Sequence, residues 1–389
     1  MKVLCVLGTR PEAIKLAPVI RELRGHAPGG LQTVVCVTGQ HRELLDPMLA
    51  IFGIEPDYDL ELMENNQTPT RLAAAVLAGL EPILESERPD WVLVQGDTTT
   101  VAAASLAAFY ARARVGHVEA GLRTGDKWQP FPEEINRRIG GAIADLHFAP
   151  TSRARDNLLR EGVSDRQIRV TGNTVIDALH WVAGMTPPDA TSALVRRCRG
   201  ESAEDRIVLV TAHRRENFGR PLESICLALR DLAGWPGVRV VYPVHLNPNV
   251  WGPVHRLLGD VPGITLLPPL DYLSMVHLLK RSYLVLTDSG GLQEEAPGLG
   301  VPVLVLRETT ERPEGVEAGA VRVVGTRRER IVTEACRLLD DPAAYQRLAR
   351  AVNPYGDGHA GERIVSALLK SQDVAPSPAA HVGLADARH

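Results

Sequence analysis

Aromatic side chains are scarce, at 4% of 389 residues, which leaves little material for a base-stacking platform. A formal net charge of −4 supplies no basic surface for nucleic acid or for an anionic membrane, so neither is expected as a partner. No apolar run reaches the length of a membrane span. The opening MKVLCVLGTR enters a strand pattern at once, without a long apolar segment and cleavage site, so no signal peptide is expected. The five cysteines, Cys5, Cys36, Cys198, Cys226 and Cys336, are scattered and include no Cys-x-x-Cys. That suits a reducing compartment without disulfides, and a cytoplasmic location is the simplest expectation. The histidines lack ligand spacing, so no metal site is expected. No Gly-x-Gly-x-x-Gly follows the first strand, and no Walker or Gly-x-Ser-x-Gly pattern occurs.

What the chain does have is ordinary globular composition, with 44% hydrophobic and 23% charged residues, enough for two domains with real cores. Short β-rich apolar runs alternate with helical patterns. KVLCVLG, TVVCVTG, DWVLVQGD, VGHVEAG, LHFAPT and IRVTGN form one series. RIVLVTAH, VRVVYPVH, ITLLPP, YLVLTDSG, VPVLVLR and VRVVG form a second. The alternation argues for βαβ units and parallel sheets, twice over: an α/β chain of two Rossmann-like, doubly wound domains. The polar, Pro-Pro-bearing stretch between about 184 and 206 reads as the linker. The expected domains are residues 1–185 and 206–355, with a helical segment in 356–370 crossing back to the first domain and an aperiodic, disordered tail at 371–389.

In such sheets ligands sit beyond the carboxyl ends of strands, and two facing domains can make one cleft of those ends. GTRPEAIK follows the first strand. Gly8 allows a tight turn, Pro11 suits a first helical turn, and Arg10 and Lys15 add positive charge beside a helix N-terminus. For that segment alone, a turn with a solvated helix start is the better explanation, since surface Arg and Lys are common. Taken alone, Asp97 of GDTTT reads as the cap of the helix that follows, with the threonines assisting. Glu119 of EAGLRTGD stands at a strand end with no comparable capping role. Glu133 and Glu134 of PFPEEINRR open a helix, where acids favour the dipole in any case.

In the second half, His213, Arg214 and Arg215 make a cationic cluster that leans towards anions, and His245 ends the next strand. Arg312 and Glu314 lie beside a proline turn. The Asp57–Asp59 stretch, DYD, reads as solvated loop. In LTDSGGLQEEAPGLG, Ser289, Gly290 and Gly291 let backbone N–H groups approach a diphosphate at a helix N-terminus, and a carboxylate one turn on can accept from ribose hydroxyls. The competing explanation is a plain helix start.

Taken as an ordered set, GTRPEAIK, QHRELLD, GDTTT, GHVEAGLRTGD, PEEINRR, TGNTVIDAL, TAHRREN, YPVHLNPNV, LTDSGGLQEEAPGLGVPVLVLR, TTERPEG and NPYGDG closely resemble the non-hydrolysing UDP-N-acetylglucosamine (UDP-GlcNAc) 2-epimerases over about residues 1–370. The resemblance implies a glycosyltransferase-B type fold, a homodimer, and interconversion of UDP-GlcNAc with UDP-N-acetylmannosamine (UDP-ManNAc) for surface polysaccharide synthesis. It implies elimination of UDP to a 2-acetamidoglucal and re-addition, without redox chemistry or any cofactor.

Matching residues for proton handling are Asp97, Glu119 and Glu133, with His213 as a further candidate. Arg10, Lys15 and His213 would neutralise the diphosphate; Ser289 and Gly290 would hold phosphate; Glu295 would take the ribose; Arg312 would support the nucleotide. Gln40, His41, Gln67, Glu133, Arg214 and His245 match a second, activating substrate site of the family. Two departures stand out: Asn66 where some activated members carry arginine, and Met275 where some place a ring near uracil. The phosphate and ribose motifs alone would also fit a glycosyltransferase on the same fold. The three acids of the first domain separate the two, because a transferase needs an acceptor site and not this set. A hydrolysing epimerase, a relative acting on a diacetamido uronic acid nucleotide, and a non-catalytic UDP-sugar sensor complete the alternatives.

Overall fold

The computed structural model describes residues 1–39, 42–62, 67–200, 202 and 205–371. The expected tail, apart from Ser371, lies outside the described residues, as do Gln40, His41 and Asn66. The chain divides into two compact units. Unit 1 is Met1–Ala178 with the chain from Gly358 onward, and unit 2 is Leu179–Asp357.

Unit 1 is built on seven parallel strands: β1 Lys2–Leu7, β2 Gln32–Val37, β3 Tyr58–Asp59, β4 Trp91–Gln95, β5 Arg114–Val118, β6 Leu146–Ala149 and β7 Ile168–Val170. Their order is β3-β2-β1-β4-β5-β6-β7. β1 and β4 are apolar almost throughout and buried, as strands covered on both faces must be. Side chains such as Leu4, Leu93 and Trp91 fill the interior, each contributing about 1.5–3 kcal/mol by leaving water. Chain direction across the sheet reverses between β1 and β4, so the loops after these strands flank the crevice where doubly wound sheets hold ligands.

Unit 2 repeats the plan with six parallel strands: β8 Arg206–Thr211, β9 Val238–Pro243, β10 Ile264–Leu267, β11 Ser282–Thr287, β12 Val303–Val305 and β13 Val321–Val323. The order is β10-β9-β8-β11-β12-β13, which places its switch between β8 and β11. Both halves are thus doubly wound α/β units, as the alternation of apolar runs implies.

Three local expectations change. DYD is not a solvated loop: Tyr58 and Asp59 form the edge strand β3, and Asp57 Oδ2 accepts from Val35 N at 2.8 Å. Two residues are too short for periodicity to reveal. Gly8 serves close packing rather than a turn, since an added Cβ would lie 2.3 Å from Thr38 Oγ1 and 2.7 Å from Thr100 Oγ1. The stretch read as a linker carries a helix, Asp189–Arg199, whose Thr191 and Cys198 are buried; Thr191 Oγ1 meets Ser274 Oγ at 3.1 Å. A single buried stripe on a polar helix looks like a linker in composition.

The Ala360–Lys370 helix packs on the Arg10–Gly25 helix of unit 1. Gly361 N donates to Asp177 Oδ1 at 2.8 Å, and a Cβ on Gly361 would stand 3.2 Å from the Pro18 carbonyl oxygen, so a side chain there would press the helices apart.

Candidate active site

In unit 1 the functional side chains gather at the ends of β1, β4 and β5. Glu119 follows β5 directly and holds a left-handed backbone, φ 64°, which is costly for a residue with a side chain. Only 9% of it is exposed. Lys15 Nζ lies 2.6 Å from both its carboxylate oxygens, Asn173 Nδ2 donates to it at 3.1 Å, and the Gln95 side-chain amide donates to it closely. Three separate segments therefore converge on one carboxylate. Every one of these partners is a donor, an environment built for an acceptor that carries charge.

Asp97 lies two residues beyond β4. It is not the helix cap: Thr98 is, its hydroxyl accepting from Val101 N at 3.2 Å. Asp97 instead pairs with Arg137 of the Glu133–Ile143 helix. Arg137 also reaches Glu134 at 3.2 Å, and Glu134, fully buried, accepts from Thr124 N at 3.2 Å and Gly125 N at 3.4 Å. The neighbouring acids of the EE pair thus divide their roles. Glu134 ties the loop after β5 to the helix, while Glu133 stands half-buried at the first helical position.

A second buried carboxylate, Glu12, binds Gly8 N at 2.9 Å, Thr9 N at 2.7 Å and Thr98 Oγ1 at 2.7 Å. It joins the starts of two helices across the β1/β4 switch, and burial pushes its carboxyl above the ordinary range. Behind the site, His117 and His147 face each other across β5 and β6, both buried. His117 Nε2 bonds the Gly96 carbonyl at 2.7 Å. Burial lowers both imidazoles, His147 to about 4.

Unit 2 places its residues around the β8/β11 switch. Thr211 and Thr287 are in register, with their hydroxyls 2.6 Å apart. The loops that follow are tied by Asp288, fully buried, whose Oδ2 accepts from His213 N and Arg214 N at 2.8 Å each and from Asn217 Nδ2 at 3.0 Å. The His213 ring stacks on His245, centroids 5.4 Å apart. Burial lowers the His213 imidazole, while Asp288 pulls it upward.

Ser289 occupies the N-cap of the Gly290–Gly298 helix and makes no side-chain capping bond. A methyl placed on Gly290 would lie 3.8 Å from the Arg312 guanidinium and 3.9 Å from that of Arg214. One placed on Gly291 would lie 3.7 Å from the Glu295 carboxylate and 3.9 Å from Ser289 Oγ. Two guanidinium groups, a hydroxyl and a carboxylate thus ring the bare backbone of a helix N-terminus, the arrangement an anionic ligand with a hydroxylated neighbour needs. Arg214 Nε is buried without a hydrogen-bond partner, and Arg312 pairs with buried Glu294.

Lys15, expected among the diphosphate cations, pairs with Glu119. Arg214, matched to a second site, has its guanidinium beside Gly290. Arg10 is half-buried at the first position of its helix, Gln67 half-buried ahead of the Thr68 cap, and Met275 half-buried in the Tyr272–Arg281 helix. Gln95, Arg137, Asn173, Glu12 and Asp288 were not singled out from sequence, although each lies inside or beside a quoted motif. Their roles depend on partners far along the chain. Among the described residues, no cluster of three or more His, Cys, Asp or Glu side chains could hold a metal ion.

The family model described as UDP-N-acetylglucosamine 2-epimerase matches residues 22–369. The UDP-N-acetylglucosamine 2-epimerase of Escherichia coli K12 is 55% identical over 375 residues, spanning 96% of this chain and 99% of that one. The crystal structure of the Neisseria meningitidis UDP-GlcNAc 2-epimerase bound to UDP-GlcNAc is 47% identical, with a TM-score of 0.83, over 95% of this chain and 100% of that one. The Methanocaldococcus jannaschii enzyme, in complex with UDP-GlcNAc and UDP, is 34% identical with a TM-score of 0.75 over 95% and 100%. With a family model covering most of its length and a relative sharing more than half of its residues, the chain belongs to the UDP-N-acetylglucosamine 2-epimerase family.

Proposed function

We propose that the protein interconverts UDP-GlcNAc and UDP-ManNAc without releasing the sugar, by elimination and re-addition of UDP. The observation that carries the reading is Glu119, a strained and buried carboxylate held by Lys15, Gln95 and Asn173 at the end of β5, with Asp97 at the end of the adjoining strand.

The C2 proton of the sugar has no carbonyl beside it, so a simple proton abstraction is too slow. In the elimination, a carboxylate takes the C2 proton, the C–H electrons form the C1–C2 double bond, and the C1–O bond breaks with its electron pair going to UDP. Re-addition reverses these steps, with the proton delivered to the opposite face of C2. Asp97, Glu119 and Glu133 are the proton-transfer groups, with His213 as a further one. Two acids of different surroundings suit two opposite faces. Arg214 and Arg312 beside Gly290, with Ser289 and with Arg10, stabilise the negative charge of the departing diphosphate. Glu295 accepts from the ribose hydroxyls. Gln40, His41, Gln67, Glu133, Arg214 and His245 form the activating site in this reading.

The product supplies N-acetylmannosamine for surface polysaccharide. Five free cysteines, four of them buried, suit the cytoplasm. The protein acts as a homodimer: Ile135 and Ile139, one helical turn apart, are exposed, as are Trp128 and Phe131, which stack on each other. Sedimentation of the wild type as a dimer and of Ile139→Asp as a monomer is the expected result.

Proton NMR with UDP-GlcNAc in D₂O tests the chemistry. UDP-ManNAc with deuterium at C2 is expected. Free UDP and N-acetylmannosamine as main products would point to hydrolysis instead. Absence of C2 exchange in folded, UDP-binding protein would overturn the reading.

A further inference from the structure

We propose that Asp288 is the positioning residue for His213, holding the imidazole as the Nδ1–H tautomer so that Nε2 is the nitrogen offered to a ligand. The proposal deepens the reading above and rests on His213 belonging to the site.

The two oxygens of this carboxylate do different work. Oδ2 is saturated by His213 N, Arg214 N and Asn217 Nδ2. These bonds fix the backbone of the loop that carries both His213 and Arg214. Oδ1 is buried and has no hydrogen-bond partner, a costly state for a carboxylate oxygen. The group nearest to answering it is His213 Nδ1, at 3.7 Å. That distance exceeds a hydrogen bond, and a small rotation of the ring about its side-chain torsions would close it.

A proton on Nδ1 meets an anion there, whereas a lone pair on Nδ1 would face one. The first arrangement is favoured on elementary electrostatics, and it leaves Nε2 unprotonated in the neutral ring. The charged and titratable groups facing the ring are Asp288 from the end of β11, His245 from the end of β9 and Arg214 from its own loop. The latter two disfavour a cationic ring, so Asp288 is the group among them that favours a proton. Backbone anchoring and tautomer control therefore come from one side chain, placed by the register of Thr211 with Thr287.

The test is ¹⁵N and ¹³C NMR of histidine-labelled, ligand-free protein, with the His213 signals assigned through His213→Gln. The wild-type ring is expected as the Nδ1–H tautomer. Asp288→Asn retains an oxygen for the three Oδ2 bonds and replaces the orphan oxygen with an NH₂ donor. The variant is expected to fold, to switch the ring to Nε2–H, and to lower its titration midpoint by about one pH unit, tenfold in the equilibrium. A wild-type ring found as Nε2–H overturns the proposal without any variant, as does an unchanged tautomer and titration in folded Asp288→Asn. Turnover is read in parallel. A loss of about tenfold or more in kcat at little change in KM is expected. A shifted tautomer with undiminished kcat would leave the Asp288 coupling standing and remove His213 from the catalytic reading instead.

Discussion

Lys15 and Glu119 stand 104 residues apart in the chain, yet the ammonium lies 2.6 Å from both carboxylate oxygens. The pair is largely buried, with side-chain exposures of 18% and 6%. Neither partner can be removed without leaving the other in a poorly solvated place. Glu119→Gln keeps the shape and one acceptor oxygen but removes the base and sets an NH₂ group among the donors. We expect kcat to fall by about 10²–10⁴-fold, as for loss of a general base, with UDP affinity unchanged because the proposed diphosphate residues of unit 2 are untouched. Turnover by NMR and UDP titration by calorimetry read the two quantities, and loss of UDP binding would count against the assignment. Lys15→Met leaves the carboxylate without its cation and should lower unfolding free energy by about 3 kcal/mol in urea melts.

Arg137 bridges Asp97 and the fully buried Glu134. Arg137→Met removes one charged donor from Glu134, which keeps Arg138 at 3.3 Å and the Thr124 and Gly125 N–H groups, and should cost about 1.5–3 kcal/mol, as for loss of a hydrogen bond to a charged group. Combining it with Glu134→Gln should cost less than the sum of the two single changes. Additive effects would show that the pair is not coupled.

Arg214 presents its guanidinium 3.9 Å from the Cβ position of Gly290 and has a buried, unpartnered Nε. If these donors read phosphate, Arg214→Ala should weaken UDP binding by about tenfold or more, as for loss of a charge-assisted hydrogen bond, and leave uridine binding unchanged. Equal losses for UDP and uridine would place the residue elsewhere in the site.

His147 is buried and its imidazole is lowered from 6.5 to about 4 by burial. Below pH 6.5 the unfolded chain takes up a proton here that the folded chain refuses until about pH 4. The unfolded state therefore binds more protons in that window, and stability rises with pH through it. The contribution is complete above pH 6.5 and lost as the pH falls towards 4, about 3 kcal/mol in all. Urea midpoints between pH 7 and 4 should fall in the wild type and fall less in His147→Gln. Parallel curves would exclude His147 as the cause.

Much of the fold was legible because apolar strands covered on both faces announce themselves by composition alone. Twelve expected strand segments became strands, whereas β3, two residues long, carried no pattern to read. The site was legible in part for a related reason. Glu119 stood out because nothing local explained a carboxylate there, and Ser289 to Gly291 because a helix start needs fewer glycines. Asp97, taken alone, read as a cap, because a cap and a functional acid look alike until the hydroxyl of Thr98 is seen to do the capping.

Sequence by itself determined the alternation of strands and helices, the absence of material for a stacking surface, and the motif set that places the chain in its family. These rest on local composition and spacing, which a linear chain carries openly. Only the tertiary structure decided that Lys15 serves Glu119, that Arg137 holds Asp97, that Arg214 and Arg312 share Gly290, and that Asp288 anchors the His213 loop. Each of these is a contact between a strand end and a partner brought beside it by a crossover. Strand order in a doubly wound sheet is a global choice, so the neighbours of a charged side chain exist only once that order is set.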